Sequence, residues 1–212
     1  FIITTFILEG FPGFSIDNEY DLEVIKKPNS TRSSLYYEEY EDNIDLPTIN
    51  IVQKGFIELN HILNSAKKDS ISKSELKNAS ILALAFTTGM RPVQMSKLSA
   101  GDLKEDIPED SLGIARYSLL VPYAKQARFT HKKVAIKLPE EIAFIILTYI
   151  HRLKLSDTDK LFELGEKSAV TCSEAINDQL FKFSPVEYRT QVLSGDILQI
   201  KYSMSQFRHH VG

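Results

Sequence analysis

The stretch Ile81-Leu82-Ala83-Leu84-Ala85-Phe86-Thr87-Thr88-Gly89-Met90-Arg91-Pro92 decides how this chain is read. The run Ile81–Phe86 has no polar face, so the helix that carries it is expected to be central and covered on every side. A Ser72-x-x-Glu75 capping box marks its start, where side chains satisfy amides that the first turn leaves unpaired. Gly89 stands where a left-handed C-cap belongs, and Pro92 suits the first turn of a following helix, Pro92–Leu98. A residue before proline is pushed toward extended backbone. Arg91 is therefore expected at a turn between two helices, held by rigid flanks and free to project into a cleft.

Working outward, Pro47 and Thr48 open a helix with Ile51, Val52, Phe56, Leu59, Ile62 and Leu63 on one face. Downstream, Ile114–Pro122 and His131–Leu138 are rich in β-branched and aromatic residues. The second alternates Val134, Ile136 and Leu138 with Lys133, Ala135 and Lys137, and the pair reads as a hairpin with a long turn over 123–130. Pro139-Glu140-Glu141 starts a further helix, with stripe Ile142, Ile145, Ile146, Tyr149 and Leu153, ending near His151, Arg152 and Lys154. Thr171-x-x-Glu174 is expected to cap the next helix, with Ile176, Leu180 and Phe183 inward. Ser203-x-x-Gln206 is expected to cap the last, which carries Arg208. The fold class is mainly α with a small antiparallel β-hairpin or sheet.

At 212 residues, 43% of them hydrophobic, the chain supports one sizeable core or one core plus a small appendage. No apolar run approaches the roughly 18 residues of a membrane-spanning helix. A single cysteine, Cys172, excludes an internal disulfide framework and fits a reducing compartment. Residues 1–47 show little periodicity and carry ten acidic residues against Lys26, Lys27 and Arg32. They read as a linker or the remnant of another domain, and residues 48–212 as the body of the protein. With no initiator methionine and a last helix that runs to residue 212, the chain is expected to be a piece of something longer.

The net charge of −3 is unevenly spread. Between Asp110 and Glu140 lie Arg116, Lys125, Arg128, Lys132, Lys133 and Lys137 with no acid among them. A basic stripe in a mildly acidic chain suits a polyanionic partner. Lys125, in the turn, could reach a phosphate or a leaving oxygen as a point charge and proton donor. Ser205-Gln206-Phe207-Arg208-His209-His210 sits at a capped helix start, where free amides and a guanidinium together suit a phosphate. Adjacent histidines on a helix do not converge, and no Cys/His set has ligand spacing, so neither a metal nor another cofactor is expected.

Thr88-Gly89-Met90-Arg91 followed by Leu98-Ser99-Ala100-Gly101-Asp102 resembles the first motif of the tyrosine recombinase (phage integrase) family. The Lys125 hairpin is similar to that family's lysine-bearing β-turn. Ser205-x-x-Arg208-His209 resembles its second motif. Gln94 stands where the family often has glutamate and Ser205 where it usually has histidine. The resemblance covers roughly residues 48–212. It implies a catalytic-domain fold of that family and a site-specific recombinase that cuts and rejoins DNA. A tyrosine hydroxyl attacks a phosphodiester, a 3′-phosphotyrosyl link forms, and the 5′-hydroxyl leaves. It implies Arg91 and Arg208 on the phosphate, Lys125 as proton donor to the leaving oxygen, and Ser205 at a position that assists proton transfer or binds phosphate. Arg116, Arg128, Lys132, Lys133 and His209 would then contact DNA. The family's nucleophile lies beyond its second motif, and none of the nine tyrosines here follows Arg208. By the same resemblance the partners are double-stranded DNA and other copies of the chain, as a tetramer on DNA, with no membrane. The location is cytoplasmic, at the nucleoid, in a prokaryote or mobile element. A non-catalytic DNA-binding module of the same fold is the alternative, while a helical protein-interaction domain leaves the basic stripe and both arginines without a role.

Overall fold

In a computed structural model, residues 44–106, 116–122, 133–165 and 167–211 are described. They fall within one compact unit, Asn43–Gly212. Seven α-helices and three strands are assigned among them: α1 Leu46–Leu63, α2 Lys73–Thr88, α3 Pro92–Met95, β1 Leu103–Asp106, β2 Arg116–Pro122, β3 Lys133–Leu138, α4 Glu140–Leu153, α5 Ser168–Phe183, α6 Val186–Ser194 and α7 Met204–Val211. The unit is thus mainly helical, with a small antiparallel sheet.

Helix α2 is the centre, as its all-round apolar run predicts. Leu76, Ala79 and every residue from Ser80 to Ala85 are buried in it. Helices α4, α5 and α7 all pack against it. Ser72 caps its start by accepting the Glu75 amide at 3.1 Å. The Glu75 carboxylate reaches Lys182 on α5 at 3.0 Å, so the reciprocal half of the expected box gives way to a bridge between helices. The helix ends where the sequence says it must. Gly89 takes φ 59°, and its amide bonds back to the Ala85 carbonyl. Helix α1 is capped by Asp45, whose carboxylate accepts the Thr48 amide at 2.8 Å. It buries Val52, Phe56, Leu59 and Leu63, while Ile51 and Ile62 lie half-buried at the edge of its stripe.

The hairpin forms as β2 and β3, paired antiparallel from Tyr117 opposite Leu138 to Pro122 opposite Lys133. The apolar side of β3 is graded: Leu138 is buried, Ile136 half-buried, and Val134 40% exposed, so the core covers one end of the strand only. A third strand, β1, pairs with the other edge of β2. The sequence does not announce it, since Leu103-Lys104-Glu105-Asp106 has one apolar residue and becomes a strand through long-range pairing.

Three further differences have local causes. Helix α3 stops at Met95, and Leu98 turns inward to accept the Leu161 amide at 2.8 Å. Thr171 is no cap. Helix α5 starts at Ser168, and Thr171 lies in its first turn, its amide and hydroxyl both bonding to the Lys167 carbonyl. Helix α6 has no apolar stripe and no buried residue, which is why periodicity misses it. The Ser203–Gln206 box does form ahead of α7: Ser203 N–H donates to Gln206 Oε1 at 2.7 Å, and Gln206 N–H to Ser203 Oγ at 3.4 Å.

Candidate functional site

One motif arginine follows α2 and the other lies on a helix that packs against it. Arg91 is two residues past the Gly89 cap, with extended backbone at φ −76° and ψ 149°, as a residue before proline requires. Arg208 lies on α7, and α7 packs against α2. Both side chains are half-buried, and neither guanidinium has an ion-pair or hydrogen-bond partner among the described residues. Arg152 makes the contrast. It donates to the Ile71 and Lys68 carbonyls and lies 3.7 Å from Asp69, so its charge is committed to holding the fold. A half-buried guanidinium without an acceptor is suited to an anion from outside.

Gln94 joins the Arg91 turn to the sheet. Its side-chain oxygen accepts the Arg91 amide at 3.0 Å, and its side-chain nitrogen donates to the Pro122 carbonyl at 2.6 Å. Pro122 is the last residue of β2. The first motif and the end of this strand are therefore fixed to each other through one amide. Sequence reasoning saw Gln94 only as a departure from a pattern. A signal was present in Arg91-x-x-Gln94, the i, i+3 spacing at which a side chain returns to a backbone amide at a helix start.

Asp102 is the other residue whose role emerges only in three dimensions. Its side chain is 5% exposed, with one oxygen accepting the Ser99 amide at 2.9 Å and the other paired with Lys133 of β3. The segment leading to it is stitched to the loop after α4. The Ala100 amide donates to Asp159, the Gly101 amide to Asp157, and the Leu161 amide to Leu98. A Cβ on Gly101 would stand 2.8 Å from the Asp157 backbone carbonyl, so the approach requires glycine. Lys133, read from the sequence as a DNA contact, thus has a carboxylate partner inside the protein.

No family model matches this sequence, and no curated protein does either.

The remaining predicted residues divide by position. Ser205 is exposed in the first turn of α7, beside the Ser203–Gln206 box. Lys125, Arg128 and Lys132 lie outside the described residues, as do the side chains of Arg116 and His209. Lys104, which the sequence reading passed over, stands opposite Ser118, and Ser118 opposite Lys137. The two lysines therefore share one sheet face, about 10 Å apart across two strand spacings. Among the described residues, no group of three or more His, Cys, Asp or Glu could hold a metal, and no helix is long and apolar enough to cross a membrane. Cys172 is fully buried with Met95 sulfur 3.9 Å away, and burial pushes its thiol up to about 11, so it is a core residue and not a nucleophile.

Proposed function

We propose that this unit binds duplex DNA and works as the catalytic domain of a tyrosine-recombinase-like strand-exchange enzyme, with a fold of that type. The observation that carries the reading is the pair of half-buried guanidiniums, Arg91 and Arg208, which have no partner among the described residues and stand on segments that both adjoin α2. Cleaving a phosphodiester by a tyrosine hydroxyl puts charge on two non-bridging oxygens at a pentacoordinate phosphorus. Two fixed guanidiniums answer that charge without a metal. In this reading Lys125 protonates the leaving 5′-oxygen. The nucleophilic tyrosine is not assigned to any residue of this sequence. The exposed cations Lys104 and Lys137 add a sequence-independent grip on the backbone.

One observation favours the second reading, a DNA-binding module without catalysis. Ser205 is exposed, and a serine hydroxyl offers a hydrogen bond but not the proton affinity of an imidazole. The test is a salt titration of duplex binding. The proposal expects the logarithm of affinity to fall linearly with the logarithm of salt, as counterions are released. It also expects covalent protein–DNA adducts on nicked duplexes for the full-length protein. Salt-steep binding without adducts selects the module. Binding that ignores salt rejects both.

A further inference from the structure

The Gln94 amide is used at both ends, and its two bonds make opposite demands. The Arg91 amide requires an acceptor and the Pro122 carbonyl requires a donor. Among the straight side chains of this length, only a carboxamide satisfies both at neutral pH. An ionised carboxylate of the same shape would accept from Arg91 but turn a lone pair toward the Pro122 carbonyl. We infer that Gln94 is a positioning residue, which holds the Arg91 turn and the end of β2 as one rigid unit, so that Arg91 is aimed at a phosphate lying against the sheet. The inference rests on the recombinase-like reading and adds to it the element that sets the arginine's direction.

The geometry supports a positioning role over a purely local cap. Helix α3 is four residues long, too short to hold its own orientation. One side of it is fixed by packing on α5. The side that carries Arg91 is tied to the sheet through Gln94. The bond to Pro122 spans 28 positions in sequence and has a half-buried setting, where water competes less. Because Pro122 is in register with Lys133, which pairs with buried Asp102, the tie also meets the Asp102 anchor of the sheet.

The experiment compares Gln94→Glu and Gln94→Met with the wild-type chain in duplex affinity at pH 7.5 and pH 4.5, alongside amide exchange at Arg91 and urea midpoints. The charged groups near the site are Arg91 on the same turn and the Lys133–Asp102 pair in register with Pro122, and they are common to all three chains. At pH 7.5 both variants should bind roughly tenfold more weakly, the worth of one partly buried hydrogen bond lost and its partner stranded. At pH 4.5 the protonated carboxyl introduced by Gln94→Glu can donate to Pro122, so the ratio of that variant to wild type should return toward one. Methionine can never donate, and its ratio should stay low. Arg91 amide protection should survive in Gln94→Glu and be lost in Gln94→Met. Wild-type affinity in Gln94→Glu at pH 7.5 overturns the inference, as do identical ratios for both variants at both pH values. If the wild-type chain ignores duplex DNA, the recombinase-like reading falls and the aiming role with it. The exchange arm then separately reports whether the tie exists.

Discussion

Replacing Lys133 by alanine separates two roles that the residue could play. The Asp102 side chain is 5% exposed, and without the ammonium it keeps the Ser99 amide as its partner. Breaking a buried ion pair by removing one member costs about 3–5 kcal/mol, because a charge is left unpaired out of water. Lys133 is 35% exposed, so solvent screens part of that, and roughly 2 kcal/mol is the expected loss. With a urea m-value of about 2 kcal/mol/M for a domain of this size, the unfolding midpoint should fall by about 1 M. The control is Asp102→Asn, which keeps an acceptor for Ser99 and removes the charge. In that background Lys133→Ala should cost under about 0.5 kcal/mol, so the double-mutant cycle returns most of the effect as coupling. Duplex affinity should keep its salt slope. A midpoint that does not move, together with a slope reduced by about one, would refute the reasoning and make Lys133 a phosphate contact.

Three other outcomes are expected. Gly89→Ala should destabilise by about 1 kcal/mol, since φ of 59° disfavours a Cβ, and should weaken duplex binding further by re-aiming Arg91; a binding change no larger than the stability change contradicts the second part. Gly55→Ala places a Cβ 2.2 Å from the Phe183 ring, so overpacking of about 1–3 kcal/mol should outweigh the roughly 1 kcal/mol of helix propensity gained; calorimetry of Gly55→Ala alone and with Phe183→Leu should show destabilisation and partial recovery. Burial raises the Cys172 thiol from 9.0 to about 11, so the unfolded thiol ionises first and stability should fall between those pH values, by about 2–3 kcal/mol. The hydroxyls of Tyr117, Tyr149 and Tyr202 are also raised, first of all by burial, and they cancel in the difference between wild type and Cys172→Ala, measured by urea midpoints at pH 8 and 10.5.

Elements written in local signals were legible in the sequence. The all-apolar run of α2, its Gly89 cap, the Pro139-Glu140-Glu141 start of α4 and the Ser203–Gln206 box each depend on neighbours within a turn or two, and each forms. Elements made by distant partners were not. Strand β1 exists because β2 offers it an edge, and α6 has neither a stripe nor a buried residue. Thr171 shows how a local signal misleads: the T-x-x-E spacing is sound, but the helix continues upstream of it through Ser168, Ala169 and Val170. The same division runs through the candidate site. Arg91 was legible from Gly89 and Pro92. The Pro122 carbonyl that fixes Gln94 and the Asp102 carboxylate that takes Lys133 lie 28 and 31 positions away from their partners. That Lys104 shares a face with Lys137 emerged only once β1 paired with β2.

The central claim is that Arg91 and Arg208 act on one phosphate. A double-mutant cycle on duplex affinity at fixed low salt, with Arg91→Ala, Arg208→Ala and the double variant, tests it most directly. Each single change should weaken binding by roughly tenfold or more, the worth of a charge-assisted hydrogen bond. If the two guanidiniums share a phosphate, the double variant should be little weaker than either single one, because the first loss already frees the phosphate. Strictly additive losses would place the arginines on separate phosphates, and single variants that bind like wild type would remove both from the DNA site.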